Sequence, residues 1–244
     1  MDEIQSRFVS LLQPKGIVLS ERQLEQFELY YNILTDWNER MNLTGITERE
    51  QVYVKHFYDS LSVSFFVAMD KVERLADIGS GAGFPGIPLK IVFPYLQLTI
   101  VDSLNKRIQF LKHLCDALEL TNVRCIHGRA EEIARQEEHR DRYSLVTARA
   151  VARLAVLNEL CLPFAAPGGT FAAMKGSEVQ EELAEAGYSL KELKGEWMDT
   201  HRFQLPLEDS LRHMVLIRKT APTPGKYPRK PGMPLKSPLV KSSL

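Results

Sequence analysis

The segment LADIGSGAGFPGIPLKI, residues 75–91, places an acid and then a series of glycines directly after an apolar run. Four glycines fall within eight positions: Gly79, Gly81, Gly83 and Gly86. With Asp77 they form D-x-G-x-G-x-G, and from Gly81 onward they also satisfy G-x-G-x-x-G. Such turns follow the first strand of nucleotide-binding α/β sheets, where a backbone without side chains can approach the ligand closely. The pattern predicts a nucleoside cofactor but does not choose one.

Three residues near the turn argue against a ligand with phosphates. Asp77 would oppose a pyrophosphate, and Pro85 and Pro88 remove backbone N–H donors from the first helical turn. S-adenosylmethionine, with a cationic amino-acid end and no phosphate, fits better. Asp77 would orient the turn or face the ammonium, and Gly79 and Gly81 would approach the methionine part. An NAD- or flavin-dependent oxidoreductase and a plain tight turn are the alternatives.

A second acid, Asp102, ends the apolar run LTIVD, 25 residues after Asp77. A carboxylate at the tip of the second strand can accept hydrogen bonds from both ribose hydroxyls of a nucleoside. This function would serve NAD and S-adenosylmethionine equally well. A cap for the helix that starts near Leu104 is the alternative.

The elements that must position these residues change in character near residue 73. Residues 1–72 predict a helical extension, with a helix capped by Ser20, a break from Asn42 to Gly45, and a following helix that Thr47 can cap. Residues 73–219 alternate β-rich and helical runs, which predicts a Rossmann-like α/β unit with helices on both faces of a mixed seven-stranded sheet. The last two predicted strands, around SLKELKGEWM and RHMVLIRK, form an antiparallel hairpin at one edge.

Residues 220–244 predict a basic, Pro-rich tail without a helix or a central strand, because six prolines lie between 222 and 238. The chain has no net charge, yet residues 210–244 contain eight Lys or Arg and no acid. We therefore expect one compact unit whose basic end contacts a polyanion. The longest uncharged apolar run is too short for a membrane span, and three scattered cysteines indicate a reducing cytoplasm without a metal site.

Several segments together give a specific resemblance that covers nearly the whole chain. They are WNERMNLT, KHFYDSL, DIGSGAGFPGIPL, HGRAEE, TARAV, MKG and YPRKPGMPLKSPL. In this combination the chain resembles the bacterial glucose-inhibited division protein B family. Its members are class I S-adenosylmethionine-dependent methyltransferases that modify guanine N7 in small-subunit (16S) ribosomal RNA.

The resemblance implies roles for individual residues. Gly79 and Phe84 line the cofactor site, Ala130 and Glu131 lie beside the adenine, and Arg149 faces both the cofactor and the substrate. Glu131 as a first-turn helix acid and Arg149 as a surface ion pair are the alternative interpretations. An arginine at the end of the fourth strand could also stack on a base or bind a phosphate.

The predicted chemistry needs no general base. Guanine N7 already carries a nucleophilic lone pair, so catalysis is mainly the alignment of nitrogen, methyl carbon and sulfur. Arg149 and Lys175 are the candidates for positioning the base. Cys161 lies in an apolar helix and is interpreted as core rather than as a nucleophile. His56 and Asp59 lie three residues apart on a helix, and we expect them to form a hydrogen-bonded pair that fixes the helical extension.

The basic tail is the predicted RNA contact. Lys226, Arg229, Lys230 and Lys236 would neutralise phosphates, and Tyr227 could stack on a base. A disordered basic tail is the alternative. A non-catalytic RNA-binding or ribosome-assembly factor remains the second alternative function. The partner expected from these features is 16S ribosomal RNA or the small-subunit particle, bound by a cytoplasmic monomer.

Overall fold

The computed structural model describes residues 1–176, 178–207 and 210–241. Seven strands form one sheet: β1 (Arg74–Ile78), β2 (Gln97–Asp102), β3 (Val123–His127), β4 (Tyr143–Arg149), β5 (Ala165–Lys175), β6 (Gly195–Gln204) and β7 (Leu211–Lys219). Their spatial order is β3-β2-β1-β4-β5-β7-β6. β1 to β5 run parallel, and β7 is antiparallel to both β5 and β6. The predicted mixed sheet with an edge hairpin is confirmed.

The α-helices lie both before the sheet and, after residue 73, between its strands. They are α1 (Glu3–Leu12), α2 (Glu21–Met41), α3 (Arg49–Val52), α4 (Asp59–Leu61), α5 (Val63–Phe66), α6 (Gly86–Val92), α7 (Asn105–Ala117), α8 (Ala130–Ile133), α9 (Leu154–Cys161), α10 (Gln180–Leu193) and α11 (Met233–Lys236). The prediction of a strand beginning near SLKEL is wrong, because those residues complete α10. That helix ends at Leu193, and the residue after it, Lys194, is left-handed with φ 59°. β6 therefore starts only at Gly195.

The N-terminal helices start and end where the sequence provides caps. The Ser20 side chain accepts a hydrogen bond from the Gln23 N–H, and Gln23 Oε1 accepts one from the Ser20 N–H, which forms a capping box. α2 ends at left-handed Asn42, as the predicted break requires. The next helix is capped by the Glu48 side chain rather than by Thr47, because Glu48 reaches two free N–H groups.

Residues Tyr53–Tyr58 between α3 and α4 are π-helical. A π-helical turn widens the helix and rotates the side chains that follow, and such turns frequently occur at functional sites. Here the turn presents His56 and Asp59 toward the end of β4.

Alternate strand residues belong to two core clusters, one on each face of the sheet. The N-terminal helices share the first cluster, in which Phe27 and Tyr30 join Leu75 of β1 and Met214 of β7. Tyr227 and Leu239 belong to the second cluster with α9 and α10. The core therefore crosses both predicted boundaries, at 72/73 and 219/220. The prediction that the tail contains no helix is wrong, because α11 lies within it.

Within the described ranges, the helices are all too short or too polar to cross a bilayer.

Candidate active site

The glycine-rich turn leaves β1 with a left-handed backbone. Gly79 has φ +72° and Gly83 φ +101°, a conformation that L side chains adopt at a cost. A Cβ at Gly79 would lie 2.8 Å from Val151 Cγ2, and one at Gly83 would lie 2.7 Å from the Tyr30 hydroxyl oxygen. Tyr30 of α2 donates to the Ala82 carbonyl at 2.6 Å, so the helical extension also holds the turn.

Asp77 fixes the turn from below. Its Oδ2 accepts hydrogen bonds from Ser80 Oγ at 2.6 Å and from the Gly86 N–H at 2.9 Å, and its Oδ1 accepts from Thr147 Oγ1 at 3.2 Å. Asp77 is fully buried, and this burial raises the pKa of its carboxyl group to about 6 despite those donors. The sequence left two roles open for Asp77, orientation of the turn or contact with the ammonium group. These contacts match the first role.

Asp102 joins the end of β2 to the same turn. Its Oδ2 accepts from the Gly81 N–H at 3.0 Å, and its Oδ1 accepts from the Leu104 N–H at 2.9 Å. The bond from Leu104 is the helix-capping contact that the sequence analysis gave as the alternative role of Asp102. Arg107 Nη1 also lies 3.5 Å from Oδ2, whereas Oδ1, with two lone pairs and the Leu104 bond, retains capacity for a ribose hydroxyl.

A cavity of about 230 Å³, here called the apolar cavity, opens at the carboxyl ends of β1 and β2. Gly79, Ala130 and Glu131 line it, as expected of cofactor-binding residues. Val151 and Leu235, 38% and 71% exposed, line it as well. Apolar side chains exposed around one concave site are typical of a small-molecule pocket.

Phe84 lies away from the apolar cavity. Its ring is only 4% exposed and packs between Tyr30, at a centroid distance of 5.4 Å, and His56, at 4.6 Å. The Arg149 guanidinium carbon lies 4.7 Å from the Phe84 ring centroid. The predicted cofactor contact of Phe84 is therefore not evident in its side-chain neighbours, which connect the turn to the helical extension.

A second cavity of about 440 Å³, here called the cationic cavity, lies at the ends of β4, β5 and β7 beside the π-helical turn. Its charged and polar lining residues are Lys55, His56, Asp59, Arg149, Lys175, Arg212 and His213. Four are cations and one is a carboxylate, so the cavity is suited to an electronegative ligand. Residues 149 and 150 border this cavity and residues 151 and 152 border the apolar one, so the β4 exit segment separates the two.

Asp59 organises the cations of this cavity. Arg149 Nη1 donates to Asp59 Oδ2 at 3.0 Å and to the Lys55 carbonyl at 3.2 Å. Arg212 Nε lies 3.6 Å from Asp59 Oδ1, an oxygen with no hydrogen bond among the described residues. Burial raises the pKa of Asp59, although both guanidiniums oppose the shift. The carboxylate thus ties the helical extension to β4 and β7.

His56 does not pair with Asp59 as predicted. Its Nε2 lies 2.8 Å from Thr44 Oγ1, and its Nδ1 lies 3.1 Å from the Lys55 carbonyl. Arg149 Nη2 lies 3.5 Å from the same Nδ1, so His56 is held by Thr44, Lys55 and Arg149 rather than by Asp59. Burial and then the Arg149 charge lower the pKa of His56 to about 3, which keeps it neutral.

Lys175 is held at the cavity wall by other protein groups. Its Nζ lies 2.7 Å from Glu182 Oε2 and donates to the Ala152 carbonyl at 2.9 Å. Glu182 Oε2 also accepts from the Leu154 N–H at 2.6 Å, at the start of α9. These contacts fix the β4 exit segment, so Lys175 positions this segment whether or not it also meets a base.

The tail residues predicted to bind RNA differ in their contacts. Arg229 forms a forked ion pair with Glu159, with Nη2–Oε2 at 2.6 Å and Nε–Oε1 at 2.9 Å. Lys226 Nζ lies 2.7 Å from Glu192 Oε2. Tyr227 is 4% exposed, so its ring is not presented to a base as predicted. Lys230 and Lys236 are exposed and remain predicted RNA contacts.

Sequence reasoning missed the residues that act across the fold. Thr147 reaches Asp77 from 70 positions away, and Glu182 reaches Lys175 from the start of α10. Val151 packs over Gly79 from the β4 exit. Nothing in the local pattern of these residues marks them, because their roles depend on which strands are neighbours.

Comparisons with known proteins agree with this architecture. The family model GidB, described as rRNA small subunit methyltransferase G, matches residues 23–211. A ribosomal RNA small subunit methyltransferase G from Bacillus velezensis is 56% identical over 95% of this chain and 97% of its own. A solved structure of a predicted O-methyltransferase from Agrobacterium tumefaciens superimposes with a TM-score of 0.53 at 16% identity, over 68% of this chain and 81% of that one. A mutant of MtNAS in complex with S-adenosylmethionine gives 0.52 at 15% identity, over 89% and 77%.

The two solved structures support the fold alone. The family model covers more than half of the chain, and the Bacillus relative is aligned along almost its whole length. By these matches the chain belongs to the GidB family, the rRNA small subunit methyltransferases G.

Proposed function

We propose that this protein transfers a methyl group from S-adenosylmethionine to N7 of a guanine in 16S ribosomal RNA, in the cytoplasm. The observation that carries the proposal is the pair of cavities that share the β4 exit segment. One is apolar and adjoins the glycine turn, and the other is cationic and adjoins the helical extension. A group bound in the first would therefore lie next to a base bound in the second.

The residues of the apolar cavity fit the adenosine part of the cofactor. Ala130 and Glu131 line the cavity wall, Asp102 Oδ1 beside the cavity has capacity for a ribose hydroxyl, and a Cβ at Gly81 of the adjoining turn would meet nothing within 4 Å. The open space at Gly81 lets a ligand approach the backbone. When bound, S-adenosylmethionine supplies an electrophilic methyl group on a sulfonium.

The residues of the cationic cavity fit an RNA base and its phosphate. Guanine carries the acceptor O6 beside N7, and a guanidinium that donates to O6 can hold the base while the N7 lone pair stays free for the methyl group. Arg149 has one guanidinium nitrogen bonded to Asp59, which fixes the plane of the fork. We assign Arg149 to the positioning of the base and Arg212 to a nearby oxygen of the RNA.

No residue of this cavity needs to remove a proton. The N7 lone pair attacks directly, so catalysis by alignment suffices. His56 agrees with this assignment, because its Nε2 is already in contact with Thr44 Oγ1 and its pKa of about 3 keeps it out of proton transfer at neutral pH.

The test has two parts. Calorimetric titration with S-adenosylhomocysteine and, separately, with NADH identifies the cofactor class. Incubation with S-adenosylmethionine and 16S ribosomal RNA that lacks the modification, offered as naked RNA and as small subunits, followed by mass spectrometry of nucleosides, identifies the product.

We expect micromolar binding of S-adenosylhomocysteine alone, and its loss in Gly79→Arg, whose side chain would meet Val151. We also expect 7-methylguanosine to form. Binding of NADH alone would support the oxidoreductase alternative. RNA binding without any methylated nucleoside would support the assembly-factor alternative.

A further inference from the structure

The C-terminal segment, residues 225–240, is bound to the body of the protein by a buried carboxylate and by arginines that reach its backbone. The glutamate that pairs with Arg229, Glu159 of α9, has a side chain only 1% exposed. It accepts from the backbone N–H of Arg229 at 2.7 Å as well as from its guanidinium. A buried carboxylate with a forked partner imposes one geometry on the segment that carries that partner.

Two further arginines fix the backbone before Arg229. Arg135 donates to the Pro228 carbonyl at 3.0 Å through Nε. Arg140 donates to the carbonyls of Tyr227 and Thr223, each at 2.9 Å. Cations that satisfy backbone carbonyls from the body of the protein hold a segment that lacks regular structure.

These anchors deliver the segment to the apolar cavity. Gly232 is left-handed, with φ +82°, and its N–H donates to Glu131 Oε1 at 2.8 Å. Gly232 and Leu235 both line the cavity, while Val156 and Leu160 of α9 line it from below. The helix that carries Glu159 therefore also supplies part of the cavity floor.

Leu235 is unusual among the side chains of this segment. It is 71% exposed although it faces a cavity, whereas Leu239 of the same segment is 8% exposed in the core. When a flat ligand covers an exposed leucine at the edge of a concave, largely apolar site, the burial of apolar surface favours binding.

From these contacts we propose that the C-terminal segment forms the outer wall of the adenine site, with Leu235 in contact with the bound purine and the Arg229–Glu159 pair holding the wall in place. This proposal rests on the proposed function and refines it. It reassigns Arg229 from RNA binding to the positioning of a cofactor contact. Leu235 touches the ligand, and Arg229 acts through the segment.

The experiment titrates S-adenosylhomocysteine and 5′-methylthioadenosine, which lacks the amino-acid end, into the full chain and its variants by calorimetry. Leu235→Ala should weaken both ligands by the same factor, about fivefold, because the lost contact is to the purine they share. Val240→Ala is the matched control, since Val240 is 39% exposed in the same segment but does not line the cavity. Its affinities should equal those of the wild type.

Arg229→Lys keeps the charge but loses the fork. It should weaken both ligands as Leu235→Ala does, and adding Leu235→Ala to it should cost less than in the wild-type background, because the wall is already displaced. If Leu235→Ala lowers ligand affinity equally in the wild type and in Arg229→Lys, Arg229 stabilises the fold but does not position the cavity wall. Bound S-adenosylhomocysteine should also slow amide exchange at residues 232–236 in the wild type.

Wild-type affinity in Leu235→Ala, with S-adenosylhomocysteine still bound and RNA still methylated, would overturn this proposal and leave the proposed function intact. A wild-type chain that binds neither ligand would overturn both.

Discussion

The two cavities beside the β4 exit are built by different means. The apolar cavity lies against a glycine turn that is held largely through its own backbone groups, such as the Gly79 N–H, which donates to the Val101 carbonyl at 2.8 Å. The cationic cavity is enclosed by side chains that neutralise each other over long distances in sequence, such as Arg149 and Asp59, 90 positions apart. One site relies on a bare backbone, and the other relies on a network of charges.

This difference suits the two ligands that we propose for the cavities. A nucleoside cofactor presents the same atoms at every turnover, so a rigid backbone cradle with apolar walls is suited to it. An RNA base arrives attached to a charged polymer, and a cluster of cations attracts it at long range. The positive charges of Arg149 and Arg212 repel each other when RNA is absent. Asp59 lies against both and supplies the compensating negative charge.

Asp77→Ala should have the largest effect and should act on the apolar side. It leaves the buried Gly86 N–H, Ser80 and Thr147 without their acceptor, and we expect a loss of about 4 kcal/mol in the free energy of unfolding. Urea denaturation measures this loss, and calorimetry should show S-adenosylhomocysteine affinity lowered more than tenfold, about 1.4 kcal/mol or more. Asp116→Ala, on the exposed side of α7, is the control. Equal stability in the two variants would show that the turn does not depend on Asp77.

Asp59→Asn should act on the cationic side alone. It removes the charge that compensates Arg149 and Arg212, and we expect a cost of about 3 kcal/mol in stability because the guanidiniums are largely buried. The kcat/KM for RNA should fall while the Kd of S-adenosylhomocysteine stays constant. Asp36→Asn, which breaks an exposed pair with Arg40, should change neither quantity. A parallel fall in cofactor affinity would mean that the two cavities are not independent.

The pH dependence of stability should separate His56 from Asp77. The folded pKa of His56 is about 3, below the unfolded value of about 6.5, so its contribution is present above pH 6.5 and is lost as the pH falls toward 3. Asp77 has the opposite sign: its folded pKa of about 6 favours the folded state at low pH, and this contribution is lost as the pH rises from about 4 through 6.

The difference between wild type and His56→Gln cancels the Asp77 contribution. We expect the unfolding free energy of His56→Gln to fall less steeply between pH 6.5 and 4, by up to about 1.4 kcal/mol per pH unit. Urea titrations across that range measure the slope. His127→Gln, at an exposed position on β3, should keep the wild-type slope. An unchanged slope in His56→Gln would contradict the buried neutral imidazole.

The smallest effect concerns the tail. Lys230→Gln combined with Lys236→Gln should lower RNA affinity about threefold at low salt and reduce the slope of log K against log salt by about two, since each exposed lysine neutralises a phosphate. S-adenosylhomocysteine affinity should not change. Lys226→Gln is the comparison, because Glu192 already pairs with Lys226. An equal loss of RNA affinity from that single change would show that the pairing does not withhold Lys226 from RNA.

Much of the fold could be predicted from local patterns. The strand–helix alternation after residue 73 and the cap at Ser20 are properties of short stretches, and the structure confirms them. Predictions failed where a neighbour in space decides. The proline-rich tail is ordered by Arg135, Arg140 and Glu159. The cap at Thr47 failed for a local reason, because Glu48, the next residue, reaches two N–H groups at once.

The amino-acid sequence by itself predicted a nucleoside cofactor and the alternation of strands and helices that carries its site, because the glycine spacing, Asp77 and Asp102 are patterns of short stretches. Only the tertiary structure decided what those acids contact, which cations meet in one cavity, and that Gly232 and Leu235 of the tail line the other. Contacts between residues 70 or more positions apart depend on sheet order and on the packing of helices over its two faces. No local pattern encodes that arrangement.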